Sequence, residues 1–321
     1  MTVPLGVMRG LDQCASASGR FTILALDHRQ NLRRELRPSD PDGVSYGELV
    51  DFKRAVVRTA APVGSGILLD PEVGVAQVIV DGSLPGSLGL IVAVEATGFL
   101  GEPTARRSRI LSGWGVDRIK RMGASAAKLL VYYHPDSPTA GEQERFVAEV
   151  ATACGEADLA MFLEPLSYDP GGGQLAPEER RRVVVETARR LVPLGATVLK
   201  AEFPYPADVT DARRWREACL ELNEAAGIPW VVLSGGVDHG TFEQQAEAAC
   251  AAGASGILAG RSIWADAAPL APDPRDAFLA GAARDRMQRL ADIVERHATP
   301  WRMARGAPTA PAPTEGWYAS Y

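Results

Sequence analysis

The chain has 321 residues, 46% hydrophobic, 23% charged and 7% aromatic, with length and apolar content for a large core. A net charge of −6 and no basic block argue against a nucleic-acid partner, because phosphate binding needs a concentrated basic face. No apolar run reaches the ~18 residues of a membrane span, and the opening MTVPLGVMRGLDQ lacks the order of a signal peptide, so a cytoplasmic protein is expected.

In chain order, residues 1–18 read as a lid beneath the main body of the fold. Eight short, nearly continuous apolar runs then recur: FTILALD (21–27), GILLD (66–70), LGLIVAVEA (88–96), AAKLLVYY (126–133), AMFLEPLSYD (160–169), TVLKAEFP (197–204), PWVVLSGG (229–236) and SGILAGR (255–261). Such runs suit parallel strands covered on both faces. Between them lie segments with helical periodicity and charged faces, clearest in 45–61, 141–157, 177–193, 211–226 and 241–253. Strand and helix alternating eight times predict an α/β fold, the (β/α)₈ TIM barrel, which commonly uses ~250 residues as one unit. No GxGxxG follows the first run, which argues against a Rossmann sheet. Residues 273–302 are expected to close the barrel as one or two helices, giving a single domain over 1–303. The Pro/Ala-rich remainder, 304–321, cannot build a core, yet it carries Trp317, Tyr318 and Tyr321. It is expected to be a flexible tail, disordered or packed outside the barrel, with docking over an active site as the alternative.

Four scattered cysteines, Cys14, Cys154, Cys219 and Cys250, form no CxxC and are expected as buried free thiols rather than zinc ligands.

Barrel active sites are built at the C-terminal ends of the strands, so the polar residues there are the candidates. The first strand ends in Asp27, followed by His28 and Arg29; the second ends in Asp70, and the third carries Glu95. The fourth carries Lys128, the fifth Glu164, and the sixth Lys200 with Glu202. Strands seven and eight end in Ser234-Gly235-Gly236 and Gly260-Arg261. Convergent buried charges cost several kcal/mol each unless paired or neutralised, so Asp27, Lys128, Glu164 and Lys200 read as a working set.

The chemistry this set suits is Schiff-base catalysis. An amine attacks a carbonyl only when deprotonated, and burial or a second ammonium nearby favours the neutral form. Burial does not decide between Lys128 and Lys200 as nucleophile. Glu164 would move protons, and Asp27 would hold a lysine or a substrate hydroxyl. For TVLKAEFP taken alone, mutual neutralisation of Lys200 and Glu202 is the plainer expectation, since residues two apart share a strand face.

His28, Arg29, Asp70, Glu95 and Glu202 are expected on the substrate-binding rim. The glycine turns of strands seven and eight, with the guanidinium fork of Arg261, suit phosphate or sulfonate. His28, His134 and His239 each follow a strand and offer a rival divalent-metal reading, though their spacing matches no local ligand motif. His297 is expected on the surface of a late helix.

At these residues the sequence resembles the class I aldolases of the tagatose-1,6-bisphosphate aldolase group, which includes the sulfofructosephosphate aldolases. The resemblance runs from about residue 10 to about residue 300. It rests on ALDHRQNLR (25–33), LLDPEVG (68–74), AVEATGF (93–99), RIKRMGASAAKLLVYYHPDS (118–137), FLEPLSYD (162–169), VLKAEFP (198–204), PWVVLSGGV (229–237) and ASGILAGRSIWA (254–265). It implies a barrel without metal or other cofactor, with Lys200 at the Schiff-base position and Lys128, Glu164 and Asp27 at the other catalytic positions. Ser234, Gly235, Gly260 and Arg261 fall where the family binds phosphate or a comparable anion. His28 stands where the family usually has Gln, which bears on substrate identity, and the tail after residue 303 has no counterpart.

The expectation is an aldolase cleaving a tagatose- or fructose-type ketose bisphosphate to dihydroxyacetone phosphate and a three-carbon aldehyde. The alternatives are 6-deoxy-6-sulfofructose 1-phosphate as substrate, giving sulfolactaldehyde, or a non-catalytic sugar-phosphate sensor on the same fold. A homo-oligomer is expected from the resemblance.

Overall fold

The computed structural model describes residues 2–319, so Tyr321 lies outside the described residues. Eight parallel strands form a closed barrel in sequence order: β1 (Phe21–Leu26), β2 (Gly66–Leu69), β3 (Gly89–Ala93), β4 (Ala126–Tyr133), β5 (Ala160–Ser167), β6 (Val198–Ala201), β7 (Trp230–Leu233) and β8 (Gly256–Ala259). The continuous apolar runs are explained by two separate packing jobs. Ile23, Ala25, Leu68, Ile91, Ala126, Phe162, Val198, Val231 and Leu258 fill the barrel, while their neighbours Leu24, Leu69, Val92, Ala127, Leu163, Leu199, Val232 and Ile257 pack against the outer helices.

The five helices with clear periodicity are present, with ends within two residues of those expected: Tyr46–Thr59, Ala140–Glu156, Pro177–Leu191, Ala212–Ala226 and His239–Ala251. Ser45 and Glu48 form a capping box on the first, and the Asp211 and Asp238 carboxylates cap the last two. Shorter helices, such as Gln30–Leu36, Val75–Val80 and Val116–Arg121, join them; six or seven residues carry too little periodicity to read from sequence. Residues 94–111 make an antiparallel hairpin over the barrel mouth, with bridges Glu95 to Ile110 and Leu100 to Arg107.

The expected lid is the helix Leu5–Cys14, whose Val7, Leu11 and Cys14 join the interior cluster and plug the N-terminal end of the barrel. Its approach depends on Gly10, where a Cβ would stand 2.1 Å from the Ser125 carbonyl oxygen. The closing helices Pro272–Phe278 and Arg284–His297 run on from each other through a π-helical stretch, Leu279–Ala283. Trp301 then turns in beneath the barrel, fully buried in the same interior cluster. The tail crosses the chain's own start, where Val3 N donates to Thr309 O at 2.8 Å, and Trp317 meets Tyr318 edge to face. All four cysteines are buried and free, and burial pushes each thiol up to about 12, so they are unreactive packing groups. Among the described residues, no helix is long and apolar enough to cross a membrane.

Gly10→Ala gains helix propensity but forces a Cβ into a backbone carbonyl. The clash is expected to win, lowering unfolding free energy in urea by about 1–3 kcal/mol. An unchanged or higher stability would contradict the close approach of the plug.

Candidate active site

The inner-face alternation that buries Ala25, Ala126, Phe162 and Val198 carries Asp27, Lys128, Glu164 and Lys200 to the barrel mouth, two residues further along each chain. There the four meet. Lys128 Nζ lies 2.8 Å from Asp27 Oδ2, 2.6 Å from Glu95 Oε1 and 2.8 Å from Glu164 Oε2. Lys200 Nζ lies 2.8 Å from that same Glu164 oxygen. No side chain in this group is more than 11% exposed.

The charges are unequal in their support. Burial disfavours the ammonium of Lys128, yet Asp27, Glu164 and Glu95 outweigh it and hold its pKa well above the ordinary lysine value. Burial likewise pushes Asp27 and Glu164 up, but Lys128 and then Lys200 pull both below the usual carboxylate range. Lys128 therefore stays a cation, and both carboxylates are ionised at neutral pH. Among the described residues Lys200 has a single carboxylate partner, shared with Lys128. Glu164 Oε2 touches both ammonium groups, each at 2.8 Å.

The rim residues divide. Glu95 is spent within the fold: besides Lys128, its other oxygen accepts from Leu130 N at 3.1 Å. Arg29 reaches Glu72 at 2.7 Å and the Glu95 carbonyl at 3.1 Å. Asp70 departs from expectation. β2 stops at Leu69, and the fully buried Asp70 carboxylate ion-pairs with Lys53 of the helix Tyr46–Thr59 while accepting from Glu72 N and Val73 N. Its acceptors serve the turn that carries Glu72, and no side-chain surface is left for a ligand.

The pairing of Lys200 with Glu202 is overturned. β6 ends at Ala201, so the two-residue alternation does not extend to Glu202. Its carboxylate accepts from Ser167 N at 2.7 Å and pairs with Arg180 at 3.0 Å, which leaves Lys200 to Glu164.

At β7 and β8, Ser234 Oγ accepts from Gly260 N at 3.4 Å, and Arg261 donates to Gly235 O at 3.3 Å. Gly236, at φ 87°, sits in left-handed backbone that disfavours a side chain, and a Cβ there would displace the Arg261 guanidinium, whose carbon would stand 2.6 Å away. Arg261 is one-third exposed, with Glu35 its nearest carboxylate at 3.9 Å. Gly236 and Arg261 also line a cavity of about 540 Å³ shared with Arg286 and Arg289, whose wall includes none of the four interior charges. His28 packs edge-on to Trp264 at 5.0 Å, and Gly260 makes room for its ring. Its Nδ1 is buried without a hydrogen-bond partner among the described residues, 3.9 Å from Asp27 Oδ1.

The three histidines of the metal reading are not brought together: His28 faces Asp27, His134 faces Glu179 and His239 faces Glu243. Among the described residues the one grouping with metal-ligand spacing is His134, Asp136 and Glu179. Arg182 already binds both of its carboxylates, and His134 Nδ1 accepts from Asp136 N. His297 is exposed on its helix.

Sequence reading passed over Lys53 and Glu72. A signal existed for Lys53, which stands in the apolar stripe of its helix between Leu49 and Val56–Val57.

Burial, the largest influence, lowers the His28 pKa to about 4. Its folded value therefore lies below the unfolded one of about 6.5, proton uptake favours the unfolded chain, and stability falls as pH drops from about 6.5 towards 4. His28→Gln is expected to flatten the slope of urea-derived stability in that window by up to about 1.4 kcal/mol per pH unit. Identical slopes in both proteins would show that His28 titrates normally.

Residues 21–266 match the model of the DeoC/LacD family aldolase. A tagatose 1,6-diphosphate aldolase of Streptococcus agalactiae is 28% identical over 316 residues, 91% of this chain and 96% of that protein. Tagatose 1,6-diphosphate aldolase 1 of Enterococcus faecalis is 30% identical over 80% of this chain and 83% of its own length. Among solved structures, fructose-bisphosphate aldolase of Plasmodium falciparum superposes with a TM-score of 0.70 at 16% identity, covering 93% of this chain and 98% of that one. An archaeal fructose-1,6-bisphosphate aldolase, whose catalytic Lys is covalently bound to the carbinolamine intermediate, gives 0.59 at 20%, covering 90% and 99%. With its eight-stranded barrel and this match across most of its length, the chain belongs to the DeoC/LacD family of aldolases.

Proposed function

We propose that the protein is a class I aldolase, using Lys200 as its Schiff-base nucleophile and no cofactor, that reversibly cleaves a ketose phosphate. The observation that carries this reading is the single Glu164 oxygen, 2.8 Å from both Lys128 and Lys200. A proton passing from Lys200 to Glu164 leaves the net charge of the buried cluster unchanged. It produces the neutral amine and the carboxylic acid that attack on a ketone requires. Lys128 cannot take that part, since its three carboxylates keep it charged. Its role is to hold Glu164 and Asp27 in place and to offer a fixed positive charge where the substrate oxygen gains electrons.

Atoms and protons balance through the cycle. The Lys200 nitrogen bonds to C2, the C2 oxygen takes the Glu164 proton, and the carbinolamine loses water to give the iminium. Glu164, ionised again, accepts the C4 hydroxyl proton as the C3–C4 bond breaks, and the bonding pair flows into the iminium to form an enamine. Release of the aldehyde, protonation at C3 and hydrolysis return dihydroxyacetone phosphate and free Lys200. Ser234, Gly235, Gly236, Gly260 and Arg261 are assigned to the phosphate at C1, with His28 and Arg29 at the neighbouring rim.

A tagatose- or fructose-type 1,6-bisphosphate is the substrate we favour, supported by the activities for which the relatives are named. The sulfonated ketose 1-phosphate is the second reading, towards which PWVVLSGGVD (229–238) and AGASGILAGRSIWA (252–265) lean by resemblance. An assembly of identical copies belongs to this reading by resemblance, and a cytoplasmic location by the character of the opening residues.

The test is turnover on a panel of ketose phosphates with and without EDTA. Cleavage insensitive to EDTA is expected, with kcat lowered about 10²–10⁴-fold in Glu164→Gln and below detection in Lys200→Met. Binding without cleavage across the panel would favour a sensor, and activity abolished by EDTA would overturn the Schiff-base reading.

A further inference from the structure

In the hairpin 94–111, Arg106 at the turn, like Arg109 on the returning strand, has no carboxylate within 4 Å among the described residues. Its guanidinium carbon stands 4.7 Å from the Tyr168 ring centroid, 4.8 Å from Phe99 and 5.4 Å from Tyr132. Among the described residues only its Nε has an acceptor, the Pro103 carbonyl at 2.9 Å. The two terminal nitrogens, the edge suited to a planar pair of anionic oxygens, are unspent. The backbone beneath is held, because Thr139 Oγ1 donates to Arg106 O at 3.1 Å and Leu100 and Arg107 exchange bonds of 2.8 and 3.0 Å.

The two tyrosines of this cage differ. Tyr168 OH is taken up by Ser137 Oγ at 2.6 Å. Tyr132 OH has no hydrogen-bond partner among the described residues. Tyr132 lies four residues beyond Lys128 on the same inner face of β4, and the charges of Arg106, Lys128, Glu164 and Glu95 all reach its phenol. Burial pushes that phenol's pKa up, so it remains a neutral O–H donor.

Position in the ring supplies the rest. In a closed eight-stranded barrel β4 stands across from β8, with β6 midway. A substrate whose near phosphate sits at the Gly260–Arg261 end of β8 and whose ketone carbon is bonded to Lys200 on β6 extends towards β4. We propose that Arg106 and Tyr132 recognise the far end of the substrate, the guanidinium edge taking an anionic group there, phosphate or sulfonate, and the Tyr132 phenol donating to it. This assignment rests on the Schiff-base reading and adds a specificity determinant to it.

The test compares kcat/KM for a ketose 1,6-bisphosphate, its 6-sulfo-6-deoxy 1-phosphate analogue and the plain 1-phosphate. Whichever anionic-tailed compound the wild type prefers, its advantage over the plain 1-phosphate is expected to shrink roughly 10–100-fold in Arg106→Gln, mainly through KM, because a charge-assisted contact is lost. Arg106→Lys should restore part of that advantage. Tyr132→Phe, which removes one oxygen and leaves the cage packed, is expected to shrink it by about threefold to tenfold. Equal losses on all three substrates would mean that Arg106 only holds the hairpin, and an undiminished preference in both Arg106→Gln and Tyr132→Phe would leave the far end unread by this pair. Either result overturns the assignment while the aldolase reading stands; a wild type that cleaves none of the three overturns both.

Discussion

One carboxylate oxygen between two lysines organises this protein. Glu164 Oε2 meets Lys128 and Lys200 at the same distance, and everything chemical depends on how differently the two ammonium groups are otherwise supported. Lys128 is surrounded by Asp27, Glu95 and Glu164, so giving up its proton would strand negative charge in a buried site. Among the described residues Lys200 meets only the shared oxygen. Of the two buried lysines, Lys128 is thereby held as the cation.

The barrel makes that asymmetry possible. Parallel strands with a period of two bring Lys128, Glu164 and Lys200 of β4, β5 and β6, with Asp27 one place past β1, to the mouth, and the apolar residues two places below them exclude water from the base. The Leu5–Cys14 helix and Trp301 close the opposite end, so the charged cluster is open on one side only. Around it a chain of ion pairs runs from Lys53 and Asp70 through the turn bearing Glu72 to Arg29, Glu95 and Lys128. That chain fixes the β1, β2 and β3 loops to one another, which keeps Asp27 and Glu95 in register with Lys128.

Much of this was legible in the sequence, for a physical reason: strand identity, face and level follow from local periodicity, and the inner-face charges on four strands stood out against apolar neighbours. What resisted reading was where a strand ends. Glu202 and Asp70 both lie just past the last strand residue, where alternation need not hold: Asp27, one place past β1, still meets Lys128, whereas these two turn to partners on outer helices, Arg180 and Lys53. The Leu5–Cys14 helix was legible as a lid, but its seating through Gly10 against the Ser125 carbonyl is a contact far along the chain that no local pattern encodes. Arg106 and Tyr132 belong to a third kind. Tyr132 was readable from its spacing to Lys128, but the return of the hairpin that sets Arg106 over it is a tertiary event.

The deciding question is which amine forms the covalent bond. Wild-type protein incubated with ketose phosphate, reduced with borohydride and mapped by peptide mass spectrometry answers it directly. A reduced adduct on the peptide containing Lys200, and none on Lys128, is the result expected from the unequal support of the two ammonium groups. An adduct on Lys128, or reduction that traps nothing while cleavage proceeds, would contradict it.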